Sequence, residues 1–147
     1  MKSKIKALLV HHREDPWQAL SLALDPQLVE TRSVLTCGEA LGYLWSENAP
    51  HVVFTDTRLP DGNWADVITL AHRGPKPTNV IVVSAQVDVP LYIEAMERGA
   101  FDFVTPPFKP KDLAHIVRCA AESSLGGRAG ASGQQSKGSA RHSQEGR

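Results

Sequence analysis

Short apolar runs alternate with helical patterns along most of this chain, and this alternation restricts the fold more than any other feature. The runs that predict strands are Ile5–Val10, Leu28–Leu35, His51–Thr55, Val80–Val83 and Phe101–Val104. Each is followed by a segment with apolar residues at helical spacing. Five βα units with short connections require a parallel sheet with helices on both faces and right-handed crossovers. The pattern therefore predicts a doubly wound, five-stranded α/β domain.

Capping residues mark where several of the helices begin and end. Asp15-Pro16 predicts the start of the first helix, with Asp as N-cap and Pro in the first turn. Thr36 and Glu39 fit a capping box for the second helix. Later helices are expected over Ala65–His72, over Pro90–Arg98 and after Phe108. Gly99 is well placed to end the fourth helix in a left-handed conformation.

Composition divides the chain into a domain over residues 1–122 and a tail over residues 123–147. The tail consists mainly of Gly, Ser, Ala, Gln and Arg. It has too few large apolar residues to offset the entropy of ordering, and we expect it to be disordered. The first 122 residues hold 12 Lys and Arg against 15 Asp and Glu, which gives no reason to expect nucleic-acid binding. No signal peptide or membrane span is visible, so a cytoplasmic location without membrane partners is expected.

Asp56 follows a buried strand and is the candidate functional residue with the strongest signal. It ends the run His51–Thr55 and precedes Leu59-Pro60-Asp61-Gly62. Open parallel sheets bind their ligands beyond the carboxyl ends of the strands. A carboxylate at that edge is a candidate phosphoryl acceptor or metal ligand.

Several motifs at strand ends resemble the receiver domain of bacterial two-component response regulators, the CheY-like family. They are Asp56 with Leu59-Pro60-Asp61-Gly62, then Val83-Ser84-Ala85, then Gly99-Ala100-Phe101-Asp102-Phe103, and finally Pro107-Phe108. The resemblance covers about residues 4–121. It implies a flavodoxin-like sheet with strand order 2-1-3-4-5 and a signalling protein that is not itself an enzyme.

The resemblance also implies roles for particular residues. Asp56 corresponds to the phosphoacceptor, and Ser84 and Phe103 correspond to the hydroxyl and the aromatic of the conformational switch. The expected partners are a sensor histidine kinase or phosphotransfer protein and a downstream protein. The downstream protein is expected to bind the fourth helix, fifth strand and fifth helix, roughly residues 89–121. Dimerisation through this face, which is common in the family, stays open.

Two parts of the family's machinery are missing. The acidic pair after strand one, which helps the acceptor aspartate to hold Mg²⁺, is replaced by His11 and His12. The lysine before the strand-five Pro-Phe is replaced by Pro106, which offers neither charge nor N–H donor. Imidazoles are poor Mg²⁺ ligands, and only weak binding of Mg²⁺ at Asp56 is expected. The first hypothesis is thus an atypical single-domain response regulator in a phosphorelay, which receives or mimics a phosphoryl signal at Asp56.

Other arrangements of the site remain open on sequence alone. Glu14 and Asp15 could replace the missing acids, and Lys109 the missing lysine. In a different class of function, His11, His12 and Asp56 could bind Zn²⁺ or Ni²⁺ in a phosphorylation-independent sensor, with Ser84 in the same pocket.

Two further features of the loops carry expectations. Trp64 stands where the family usually has Gly. It either covers the mouth of the pocket or binds a partner, or it packs at the amino end of the third helix. The Pro106–Pro107 peptide bond is expected to be cis. A flavin-binding role is disfavoured because His11–Pro16 lacks a Ser-, Thr- or Gly-rich phosphate cradle.

Overall fold

A five-stranded parallel sheet forms the centre of the protein, as seen in a computed structural model that describes residues 4–130. Its five strands are β1 (Ile5–Val10), β2 (Val29–Val34), β3 (Val52–Asp56), β6 (Asn79–Val83) and β7 (Asp102–Val104), while β4 (Arg58–Leu59) and β5 (Gly62–Asn63) form a separate hairpin. The sheet strands lie in the order β2-β1-β3-β6-β7, which corresponds to the predicted 2-1-3-4-5 order. The flavodoxin-like fold class is therefore confirmed.

Helices cover both faces of this sheet. They are α1 (Trp17–Ala23), α2 (Cys37–Leu44), α3 (Trp64–Arg73), α4 (Val89–Glu97) and α5 (Pro110–Gly130). One core cluster joins the sheet to residues of α2, α3 and α4, and the other joins it to α1 and α5. No helix within residues 4–130 is both long and apolar enough to cross a membrane.

β3 lies in the middle of the sheet and is buried along its whole length. It pairs with β1 on one side and with β6 on the other, where Asp56 is in register with Val83. Both faces of a central parallel strand are covered by helices, so its side chains have no access to water. The last residue, Asp56, is consequently a fully buried carboxylate.

A small hairpin follows Asp56, and the sequence patterns gave no prediction of it. It consists of β4 (Arg58–Leu59) and β5 (Gly62–Asn63), which pair antiparallel. At its tip, the carboxylate of Asp61 accepts hydrogen bonds from the backbone N–H groups of Cys37 and Gly38, at 2.7 and 3.0 Å. These bonds hold the pKa of Asp61 below its ordinary value. The hairpin is thereby fastened to the amino end of α2.

The two predicted helix caps need correction. Pro16, not Asp15, is the N-cap of α1, and no side chain caps this helix. The backbone carbonyl of Glu14 accepts the N–H of Gln18 at 2.8 Å, so the Asp15 carboxylate is not required there. At α2, Thr36 Oγ1 accepts the N–H of Glu39 as predicted, but the Glu39 carboxylate accepts the N–H of Leu35 rather than that of Thr36.

The carboxyl-terminal helix runs past the boundary expected after residue 122. α5 continues to Gly130, and Ser124 is buried within it. The Ser124 hydroxyl donates to the carbonyl of Pro77 at 3.1 Å, which attaches this turn to the segment before β6. Expected disorder is thus replaced by helix over residues 123–130. The remainder of the predicted tail, residues 131–147, lies outside the described residues.

Gly99 ends α4 with the left-handed cap that was expected. Its φ is +106°, and the N–H groups of Gly99 and Ala100 bond to the carbonyls of Met96 and Ala95. A Cβ at this position would lie 2.9 Å from Cε1 of His72. Only glycine fits both requirements.

Gly99→Ala should therefore lower the free energy of unfolding by about 1–3 kcal/mol, as expected for a non-glycine residue in a sparsely populated conformation. Gly42→Ala is the matched control, since a Cβ there meets nothing within 4 Å in the middle of α2. It should stabilise the protein by up to about 1 kcal/mol. Urea unfolding followed by circular dichroism measures both, and equal effects would contradict the role assigned to Gly99.

Candidate functional site

Asp56 is held in an ion pair with Arg13, a residue that the sequence patterns did not single out. Nε of Arg13 donates to Oδ2 of Asp56 at 3.0 Å, and Nη2 donates to Oδ1 at 2.5 Å. The Asp56 side chain is 1% exposed and that of Arg13 is 43% exposed. The guanidinium thus covers the carboxylate from the solvent side with the two-pronged geometry that arginine and carboxylate favour.

The positive charge on Arg13 is stabilised by this arrangement. Hydrogen bonds to Asp56, and secondarily its negative charge, raise the pKa of Arg13 against the opposing effect of burial. The backbone N–H of Thr57 also donates to Oδ1 of Asp56 at 2.7 Å. Oδ1 therefore accepts two hydrogen bonds, and Oδ2 accepts the bond from Nε.

His11 and His12 do not form the predicted metal site with Asp56. The ring of His11 stacks on that of Trp17, with centroids 4.4 Å apart and planes 1° from parallel. His12 is exposed. Within residues 4–130, no three His, Cys, Asp or Glu side chains lie close enough to hold a metal ion. The structure therefore does not bring together the side chains of the Zn²⁺ or Ni²⁺ cluster expected as an alternative, and His11 packs on an aromatic ring instead.

The donors around Asp56 also do not fit Mg²⁺. This ion requires oxygen ligands in near-octahedral geometry, usually with at least one or two carboxylates. Here the carboxylate of Asp56 is engaged by a guanidinium, and Glu14 and Asp15 are exposed residues that complete no acidic cluster with it. The cation at this carboxylate is a side chain of the protein.

Of the predicted switch residues, Ser84 lies directly after β6 and Phe103 lies on β7. Ser84 follows β6 and is nearly buried; its hydroxyl donates to the carbonyl of Gln86 at 2.7 Å. Phe103 on β7 is half-buried against the core, and its ring meets that of Tyr92 on α4 edge to face, with centroids 5.7 Å apart. The fold thus supplies a packed connection from β7 to α4, while the switching role stays a prediction.

The loop after β7 carries Pro106 at the predicted lysine position. The Pro106–Pro107 bond is cis, as expected. Lys109 is exposed, and the partner of Asp56 is Arg13 rather than this lysine. The positive charge that faces Asp56 thus comes from the loop after β1 and not from the loop after β7.

Trp64 packs as the first residue of α3 and is 7% exposed. The guanidinium of Arg98 lies 5.9 Å from its ring centroid. Between the amino end of α3 and the loop after β6 is an open cleft of about 500 Å³, lined among others by Arg13, Arg58 and Ser84. Trp64 contributes to one wall of this cleft, but most of its side chain is buried in the core cluster between the sheet and α3, so it serves mainly as a packing residue.

Removing Arg13 alone should destabilise the protein. Arg13→Ala leaves the buried Asp56 carboxylate without its cation, and we expect it to lower the free energy of unfolding by about 1–3 kcal/mol. This is less than the ~3–5 kcal/mol of a fully buried pair, because Arg13 is partly exposed. The double variant Arg13→Ala/Asp56→Asn should recover most of the loss, since it buries no charge.

Glu94→Ala is the matched control, because its ion pair with Arg98 is exposed on both sides. It should change the free energy of unfolding by less than about 0.5 kcal/mol. Urea unfolding of wild type, Arg13→Ala, the double variant and Glu94→Ala measures these free energies of unfolding. A double variant no more stable than Arg13→Ala would contradict the pairing.

Comparison with known proteins agrees with the fold described above. Residues 8–118 match the family model of the response regulator receiver domain. The response regulator protein PilR of Pseudomonas aeruginosa is 33% identical over 114 residues, which cover 78% of this chain but only 25% of PilR. The chain thus spans about a quarter of that relative's length.

Solved structures show the same fold. The response regulator domain of CheB from Thermotoga maritima superposes with a TM-score of 0.67 at 25% identity, covering 82% of this chain and 98% of that one. A CheY-like receiver domain protein from Methanospirillum hungatei gives 0.68 at 19% identity, covering 84% and 98%. This chain belongs to the response regulator receiver domain family of two-component systems.

Proposed function

We propose that this chain is an atypical receiver module of a two-component pathway, in which Asp56 receives a phosphoryl signal without the usual help of Mg²⁺. The observation that carries the proposal is the Arg13–Asp56 ion pair. It engages both oxygens of the acceptor in a site where His11, His12 and Pro106 replace the family's acids and lysine.

The chemical consequence is slow phosphoryl transfer. The reaction depends on positioning and on neutralising charge at the phosphoryl oxygens, normally by metal ions and a cation. Each electrostatic contact of this kind contributes about 2.7–4 kcal/mol to transition-state stabilisation. Losing both the metal and the lysine therefore lowers the rate by several orders of magnitude. Part of this loss is offset wherever another cation reaches the phosphoryl group.

Output then takes place through protein contacts, as in other receivers. The proposed upstream partner is a sensor histidine kinase or a phosphotransfer protein. The proposed downstream surface is formed by α4, β7 and α5, where Tyr92 and Ile93 are 41% and 49% exposed. The contact of Tyr92 with Phe103 supports this assignment, because it connects the exposed surface to the strand next to Ser84. A second copy of the chain is the alternative occupant of this surface.

The first test is intact-mass spectrometry after incubation with phosphoramidate, with either Mg²⁺ or EDTA present. We expect slow formation of a singly phosphorylated species, at a rate that Mg²⁺ changes by less than about threefold, because the donor set binds Mg²⁺ poorly. Asp56→Asn is the control and should give no such species. Rapid labelling that requires Mg²⁺ would contradict the proposal.

A further inference from the structure

We propose that Arg13 is a catalytic residue of this receiver, and that its guanidinium takes the place of the divalent cation in phosphoryl transfer to Asp56. The inference rests on the proposed function and adds the residue that performs the charge neutralisation. It makes the reaction independent of metal and dependent on one arginine.

Arg13 lies where an incoming phosphoryl group must pass. The carboxylate of Asp56 is buried, and the half-exposed guanidinium covers it from the side of the cleft. A guanidinium has five N–H groups in a rigid plane, and in this structure two of its nitrogens donate to Asp56. A cation of this shape can contact the carboxylate and the equatorial phosphoryl oxygens together, because the guanidinium fork matches the geometry of both groups. In phosphoryl-transfer enzymes an arginine stabilises the charge on those oxygens in the transition state.

The hydrogen bonds also distinguish the two carboxylate oxygens. Oδ1 accepts from both Arg13 and the backbone of Thr57, whereas Oδ2 accepts the longer 3.0 Å bond from Arg13 Nε. Oδ2 keeps more of its lone-pair density and is the attacking atom. Thr57 fixes the orientation of the carboxylate through the other oxygen.

The reaction balances without a metal. Oδ2 attacks the phosphorus of phosphoramidate, the P–O bond forms, and the P–N bond breaks. The nitrogen, already protonated in the donor, departs as ammonia and leaves an acyl phosphate on Asp56. Arg13 keeps its proton throughout and balances part of the negative charge that accumulates on the phosphoryl oxygens.

Arg13 has two opposing effects on the rate: it covers the nucleophile Asp56, and it stabilises the charge on the transferring phosphoryl group. Releasing a carboxylate from charge-assisted hydrogen bonds of this kind accelerates its reaction by about 10- to 100-fold. An arginine at the transferring phosphoryl group contributes about 10³- to 10⁵-fold. Loss of the stabilising cation exceeds the gain from uncovering Asp56, so removal of Arg13 slows the reaction.

The experiment compares wild type with Arg13→Ala, Arg13→Lys and Arg32→Ala in the phosphoramidate reaction. Labelling is followed by intact mass in EDTA and again in Mg²⁺. Arg32 lies on β2 against the ring of Tyr43, and its removal is the matched loss of one arginine away from the site. Circular dichroism at the labelling temperature verifies that each variant is folded.

We expect slow labelling of wild type at equal rates in EDTA and Mg²⁺. The labelling rate of Arg13→Ala should be at least 10-fold below that of wild type, and the rate of Arg13→Lys should lie between the two. The rate of Arg32→Ala should equal that of wild type. Arg13→Lys retains a charge beside Asp56, so it tests the inference even where Arg13→Ala fails to fold. In that case a rate equal to wild type for the lysine variant would overturn the assignment to the guanidinium.

The outcomes distinguish a failure of this inference from a failure of the proposed function. Faster labelling of Arg13→Ala would show that Arg13 only blocks Asp56, and would overturn this inference alone. Absence of any adduct on wild type, in EDTA and in Mg²⁺, would overturn both this inference and the proposed reception of a phosphoryl signal at Asp56. Labelling that requires Mg²⁺ would overturn both this inference and the proposed function.

Discussion

The site depends on one electrostatic constraint: a carboxylate buried at the end of the central strand needs a positive charge beside it. Asp56 lies at the end of a strand enclosed on both faces, so it cannot be solvated by bulk water. An unpaired charge at such a position is costly, and buried carboxylates are therefore paired or bound to metal. In this protein Arg13 supplies the charge from the loop after β1.

The position of that arginine has consequences for the neighbouring loop. The contact with Asp56 ties the segment between β1 and α1 to the end of β3, and the stack of His11 on Trp17 ties it to the core beneath α1. On the other side, the hairpin after Asp56 is fastened to α2 through Asp61. The carboxylate is thus surrounded by loops that are each attached to a different helix.

Much of the architecture followed from the sequence, for local physical reasons. Apolar runs of strand length alternating with helical spacing permit few topologies other than a parallel sheet with helices on both faces. Gly99 was identifiable as a left-handed cap because its neighbours end a helical pattern. Predictions about reciprocal side-chain contacts were less successful. The Asp15 side chain does not cap α1, and the Glu39 carboxylate accepts the N–H of Leu35 instead of that of Thr36. Several acceptors compete for the free N–H groups at each helix end, so the sequence does not decide which of them forms the bond.

By itself the sequence determined the fold, the location of Asp56 at the carboxyl edge of the sheet, and the absence of acids and lysine at the positions that would normally serve it. These are local facts, readable from runs of a few residues. Only the tertiary structure decided which cation reaches Asp56. Arg13 and Asp56 are 43 residues apart, and an exposed arginine in a loop has no local pattern that indicates its partner. The pairing exists because parallel β1 and β3 end side by side, which brings the two loops that follow them together.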